Sequence, residues 1–277
     1  MRLPDFKVEQ WMNDYENDAI YNMTDTCVKA LTLKELLDCE DFDFNELTLD
    51  YGQITGDVEL KKEILSLYAS GTIDNITTAQ GCLQANELVM NTLLEKGDEV
   101  YRGVNQEVSI SDIYENGIST SSLSKVFSLA GLRFGWIKAN EYVIHQINIR
   151  RDYSMISTGP LVDKLGWIAL KHKDELILRA KNIISTNKNI VREWLKENPR
   201  FECVLPSGGT VCFLKYYFDL KSETFAKLLL AEKGVFFVPG SCFDKEYYFR
   251  LGLAQDSKPF KSGLDELSNF VDEHLIS

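Results

Sequence analysis

Histidine and proline are scarce in this chain, its cysteines are unpatterned, and long apolar runs are missing. The three histidines (His145, His172, His274) and six cysteines (Cys27, Cys39, Cys82, Cys203, Cys212, Cys242) contain no CxxC pair and no regular spacing. A Cys/His zinc cluster therefore lacks its material and no metal site is expected; free thiols in a reducing cytoplasm are the simplest reading. The opening MRLPDFKVEQWMNDYENDAIY holds no apolar run of signal-peptide length, and nothing later approaches a membrane span, so a cytoplasmic location is expected. Basic residues are outnumbered, 30 Lys and Arg against 42 Asp and Glu, for a formal charge of −12. Such a balance argues against a general nucleic-acid or anionic-membrane binder, which needs clustered cations. It leaves room for a small anionic ligand held by a few fixed donors.

What is present is a chain of 277 residues with 44% apolar composition, enough for a substantial core in one large domain or two modest ones. A short helix is expected over Leu33–Leu37. Asp57 reads as a cap ahead of a helix whose apolar residues recur at i, i+4 through Leu65. Further helices are expected over Ala85–Leu94, Leu161–Leu170, Asp174–Glu197 and Phe260–Val271. Strand-like runs at Thr210–Leu214, Val235–Val238 and Tyr247–Leu251 are punctuated by Pro206-Ser207-Gly208-Gly209 and Pro239-Gly240, the character of a smaller α+β region.

The most informative stretch is Ser122-Leu123-Ser124-Lys125-Val126-Phe127-Ser128-Leu129-Ala130-Gly131-Leu132-Arg133-Phe134-Gly135. A hydroxyl three residues before a lysine and a guanidinium eight residues after it can both reach one phosphate, and the planar fork of arginine binds phosphate oxygens bidentately. Small residues between them let a loop approach a ligand closely. The bland alternative is a Ser-capped helix with a surface Lys and Arg, which Ser-x-Ser-Lys taken alone favours and the full spacing with its neighbouring elements disfavours.

This stretch resembles the lysine signature of the class I/II pyridoxal-phosphate (PLP) dependent aminotransferases. The resemblance implies a type I PLP-transferase fold: an α/β large domain with a mainly parallel sheet and a small C-terminal α+β domain. It implies an N-terminal segment over 1–48 that packs with the small domain, a large PLP-binding domain over 49–172 and the small domain over 173–277. Lys125 would form the imine to PLP and then act as general base. Ser122 and Arg133 would anchor the phosphate. Asp98-Glu99-Val100-Tyr101 resembles the family's D-x-x-Y element, which makes Asp98 the partner of the pyridine nitrogen and Tyr101 a donor to the ring O3′. Gly81, Cys82 and Leu83, just ahead of the Ala85 helix, fit the loop whose backbone N–H groups meet the phosphate. Tyr51 and Gly56 match a Y-x-x-x-x-G segment whose Tyr reaches the phosphate of a neighbouring subunit, implying a homodimer; a buried structural tyrosine fits Tyr51 equally well. Val238–Phe243 and Phe249–Gly252 match small-domain elements in which Arg250 clamps the substrate α-carboxylate. An arginine inside an apolar strand needs an anionic partner, in agreement with that role. Trp11, Tyr15 and Tyr21 are candidates for the side-chain pocket, with ordinary packing as the alternative.

The chain departs from the family in length. Relatives run to roughly 350–420 residues by the resemblance. The missing part falls around 97–101, where LLEKGDEV runs into DEVYRG, so that the ring-stacking aromatic and an N-P-x-N-P-T-G element are lost. The six prolines, at 4, 160, 199, 206, 239 and 259, leave nowhere else for the latter. An internal block of the large domain therefore reads as deleted. The expected activity is amino transfer between an amino acid and a 2-oxo acid; the alternatives are a PLP-dependent lyase on the same fold and a non-catalytic remnant.

Overall fold

A computed structural model describes residues 4–95 and 108–274. The chain divides into two compact units, one of Met1–Lys29 with Leu178–Ser277 and one of Ala30–Ile177. In chain order the elements begin with α1 (Lys7–Tyr15), β1 (Tyr21–Asn22), α2 (Leu33–Leu37), α3 (Val58–Leu65), β2 (Ile76–Ala79) and α4 (Gly81–Leu93). They continue with α5 (Ile110–Ile113), β3 (Ser119–Ser122), β4 (Gly135–Lys138), α6 (Glu141–Arg151), α7 (Pro160–Lys171) and α8 (Lys173–Glu197). The last are β5 (Phe201–Glu202), β6 (Val211–Tyr216), α9 (Ser222–Lys233), β7 (Val235–Phe236), β8 (Val238–Pro239), β9 (Tyr248–Gly252) and α10 (Ser257–His274).

The unit of residues 30–177 is built on a sheet of order β2-β4-β3, in which β4 runs against both neighbours. The two outer strands therefore point the same way, and both ladders of this sheet among the described residues are antiparallel. Alternation along β4 sends Trp136 to one face and Ile137 to the other. Trp136 joins Leu60, Ile64, Leu123, Phe134 and Ile168, each with no exposed surface, beneath α3 and α7. Ile137 joins Ala79, Ala85, Leu88, Ile144 and Ile147 beneath α4 and α6. Each fully buried aliphatic side chain contributes on the order of 1.5–3 kcal/mol. Helix α3 starts where its cap pattern places it: Asp57 accepts from the N–H groups of Glu59 and Leu60 at 2.9 and 3.1 Å. Helix α2 begins with a reciprocal Thr32–Glu35 capping box.

The other unit centres on an antiparallel sheet of order β5-β6-β9-β8. Burial alternates along β6, with Cys212, Leu214 and Tyr216 inward. Its core is aromatic, including Phe225, Phe237, Phe249 and Phe270 against α9 and α10. Trp11 belongs to that core at 6% exposure and donates to the Phe237 carbonyl at 2.9 Å. The apolar run expected as a single strand over Val235–Val238 is split. Phe236 ends β7, which pairs in parallel with β1, and Val238 begins β8, which pairs with β9. Among the described residues no helix is long and apolar enough to cross a membrane, and no cluster of three His, Cys, Asp or Glu is placed to hold a metal ion.

Candidate active site

Strand β3 ends at Ser122, and its partner across the ladder is Gly135 at the start of β4. Between them the chain folds into a compact turn. Leu123 N–H donates to the Phe134 carbonyl and Leu129 N–H to the Leu123 carbonyl, both at 3.1 Å, which closes the base of the loop. At its tip the Lys125 carbonyl accepts from Ser128 N–H at 3.2 Å, with Ser128 at φ +65°. Leu123 and Phe127 are buried beneath the turn while Lys125 is exposed, so the apolar residues hold the backbone and leave the amine outside the core. The Ser122 hydroxyl accepts weakly from Ser124 N–H at 3.4 Å, and Ser124 itself is buried.

Arg133 sits at φ +52°, a left-handed conformation that aims its side chain back along the turn, with Nη1 donating to the Ala130 carbonyl at 2.8 Å. Its other terminal nitrogen lies against Gly81. A Cβ built on Gly81, which has φ +80°, would stand 2.8 Å from Arg133 Nη2. Gly81 opens α4, so Gly81, Cys82 and Leu83 are not a loop ahead of the helix, as the sequence suggested, but its first turn. The N-cap residue Gln80 supplies no side-chain cap. Free N–H groups and the helix dipole at such an end favour an anion. Gly135 makes the approach between β4 and α4 tight, since a Cβ there would lie 2.6 Å from the Gly81 carbonyl carbon and 2.8 Å from the Cys82 nitrogen.

The fork of Arg133 and the first turn of α4 thus meet, beside the loop that carries Ser122 at its base and Lys125 three residues further on. Phosphate-sized anions suit this combination of one guanidinium, one hydroxyl and a helix N-terminus, and a PLP phosphate fits the residues present. Neighbouring polar groups unforeseen in the sequence stabilise this end. Thr120 donates to Asn86 Oδ1 at 2.6 Å, and the Cys82 thiol donates to Thr120 at 3.4 Å. Only the register of β3 beside α4 brings these three together, so no local signal could have found them. The pyridine partners assigned from sequence, Asp98 and Tyr101, lie outside the described residues. Tyr51 is exposed at 63%, so it is not a buried structural residue. Its segment is seated by Thr78 N–H donating to the Thr55 carbonyl at 3.2 Å and by Asp57 N–H donating to Asp163 at 2.9 Å.

Arg250 lies in the other unit, on β9, paired with Phe213 of β6 and Val238 of β8. Its Nη2 donates to the Thr24 carbonyl at 3.4 Å and its guanidinium carbon lies 5.8 Å from the centre of the Phe243 ring. Nε is buried without a hydrogen-bond partner among the described residues. Burial pushes this guanidinium below its usual range, opposed by Glu9 and Cys242. A buried cationic donor left unsatisfied is the condition under which a carboxylate ligand is favoured.

These features define a type I PLP-transferase fold. The family described as aminotransferase class I and II matches residues 98–261, and the chain belongs to that family, whose members use PLP. Capreomycidine synthase of Streptomyces vinaceus is 29% identical over 158 residues, 57% of this chain and 41% of that one. Aspartate aminotransferase of Bacillus subtilis is 24% identical over 207 residues, 70% of this chain and 51% of that one. The chain spans about half the length of the curated relatives it matches. Among solved structures, a PLP-dependent aminotransferase from Streptococcus suis superposes with a TM-score of 0.91 at 28% identity, covering 99% of each chain. Aspartate aminotransferase of Thermotoga maritima follows the same fold, with a TM-score of 0.79 at 18% identity, covering 97% of this chain and 98% of that one.

Proposed function

We propose that this chain is a PLP-dependent aminotransferase that moves an amino group between an amino acid and a 2-oxo acid, with Lys125 as the cofactor lysine. The observation that carries the reading is the convergence of the Arg133 guanidinium on the uncapped first turn of α4, beside the loop that bears Ser122 and Lys125. Ser122, Arg133 and the N–H groups of Gly81, Cys82 and Leu83 would hold the phosphate. By the sequence resemblance, Asp98 would pair with the pyridine nitrogen and Tyr101 with O3′. When bound, the cofactor's protonated ring withdraws electron density from the substrate Cα. The Lys125 amine would act as the base that holds and moves the proton at the substrate Cα. Arg250 receives the substrate α-carboxylate, which satisfies its unpartnered Nε. Exposed Leu49, Tyr51 and Ile54 support a homodimer in which Tyr51 reaches the partner's phosphate. An internal block of the large domain is absent near residues 97–101, a reading supported by the three-stranded described sheet and by the short span of the matches to longer relatives. The location is cytoplasmic.

Purified chain titrated with PLP is expected to develop a visible absorption band that disappears in Lys125→Ala and bleaches on adding an amino acid. Absence of any band, or a band unchanged by the substitution, would refute the role of Lys125. In the same assay, ammonia and pyruvate release in place of 2-oxo acid amination would identify a lyase on the same fold.

A further inference from the structure

We propose that Cys203 and Cys212 are a peroxide-responsive dithiol that closes into an intramolecular disulfide across the 204–211 turn. The proposal is independent of Lys125 and of any cofactor. Strand register brings the two side chains together. Phe201 pairs with Tyr216 and Glu202 with Lys215, so Cys203, the first residue beyond β5, leaves the ladder on the side of Leu214. Cys212 is two residues from Leu214 on the same strand, and strand periodicity puts all three on one face. The burial pattern agrees: Cys212, Leu214 and Tyr216 are the inward residues of β6, and Cys203 packs against the same core cluster.

The two thiols are chemically unequal. Cys203 is half-buried, and hydrogen bonding with Cys212 and the Phe213 backbone holds its thiol below the usual range. Cys212 is 5% exposed, and hydrogen bonding with Cys203 together with burial pushes its thiol far up. Elsewhere, burial pushes the Cys39 and Cys242 thiols up. Cys203, the more exposed of the two, is therefore the sulfur that meets oxidant, and the buried Cys212 resolves the product. The Cys203 sulfur attacks one oxygen of hydrogen peroxide, the O–O bond breaks, and one water leaves as Cys203 becomes a sulfenic acid. The Cys212 sulfur then attacks the Cys203 sulfur, the S–O bond breaks, and a second water leaves. Two thiols are oxidised by two electrons and the peroxide is reduced to two waters. Contraction from thiol contact to an S–S bond of about 2.05 Å needs backbone adjustment. The turn provides it, since Gly208 and Gly209 have no atom within 4 Å of a built Cβ and Gly209 is at φ +97°.

The test uses the full chain and its tryptic peptide 201–215, which contains both cysteines. After treatment with hydrogen peroxide and then iodoacetamide, this peptide is expected two hydrogens lighter and unalkylated, with full alkylation restored by dithiothreitol. In Cys212→Ser, dimedone is expected to label Cys203 as its sulfenic acid. The wild-type peptide decides the proposal even if that variant fails to fold. Alkylation of both thiols after peroxide, pairing of either with another cysteine, or over-oxidation of Cys203 without the bridge would overturn it.

Discussion

Replacing Gly135 with alanine tests the packing that places the α4 N-terminus against the Arg133 loop. The new methyl would stand 2.6 Å from the Gly81 carbonyl carbon, 2.7 Å from the Ser121 carbonyl oxygen and 2.8 Å from the Cys82 nitrogen. Ordinary van der Waals contact begins near 3.4 Å, so about 0.8 Å must be gained at the worst contact, and all three neighbours are backbone. A flexible side chain could swing aside; a strand and a helix start cannot. Overpacking of this kind costs about 1–3 kcal/mol. For a unit of this size that lowers the midpoint of thermal unfolding by roughly 2–4 °C per kcal/mol. Gly131, in the same motif, is exposed with nothing within 4 Å of a built Cβ, so Gly131→Ala is expected within about 0.5 kcal/mol of the parent. Guanidinium unfolding followed by tryptophan fluorescence compares the two, since Trp136 is the next residue after Gly135 and fully buried. PLP affinity should fall in Gly135→Ala as the helix start moves away from Arg133. Equal stabilities for the two variants would show that the close approach is not a constraint, and the argument for a built phosphate cradle would fail.

Three further outcomes are expected. Lys138 and Asp112 form an ion pair at 2.8 Å with side chains only 3% and 4% exposed, so Lys138→Met should cost about 3–5 kcal/mol in denaturant unfolding, and Lys138→Met with Asp112→Leu should recover most of it. A single variant as stable as the parent would contradict the burial of that pair. Asp57→Ala removes an acceptor shared by two N–H groups of α3 and should cost about 1 kcal/mol, which Asp57→Asn should largely avoid in the same measurement. Burial raises the Asp163 carboxyl above its usual value, despite hydrogen bonds from Thr158 and from Asp57 N–H. The folded state then holds this proton more tightly than the unfolded chain, so the contribution is full below about pH 3.9 and declines as pH rises through the higher folded value. Unfolding free energies against pH should therefore lose a falling component in Asp163→Asn; identical profiles for the two proteins would disprove it.

The local half of the candidate site was legible because it is covalently local. Ser122, Lys125 and Arg133 lie on one loop, and the spacing of hydroxyl, amine and guanidinium in the chain already limits what they can reach together. Helices α3 and α8 were equally readable, the first from the Asp57 cap and the second from a long 3.6-residue apolar repeat. Strands were harder. β2 and β4 are buried on both faces, so they carry no alternation, and β2 is only Ile76–Ala79, too short to stand out. The split of the Val235–Phe237–Val238 run between two sheets depends on which partner each half finds, and no local pattern records that.

The sequence by itself determined the residue types, their spacing around Lys125, and the family to which they belong. The resemblance already named Gly81, Cys82 and Leu83; tertiary structure decided how the start of α4 sits against the Arg133 loop. Gly81 and Cys82 stand more than forty residues before Lys125, and Gly81 meets Arg133 and Cys82 meets Gly135 only because β4 lies between β2 and β3 and glycine at 135 lets α4 close onto it. It also decided that Arg250 keeps an unsatisfied buried donor, and that Cys203 and Cys212 share one face of a sheet. Spacing along a chain bounds what neighbouring residues can touch; contacts between distant segments are set by strand register and by the exclusion of water from the core, and these exist only in the folded molecule.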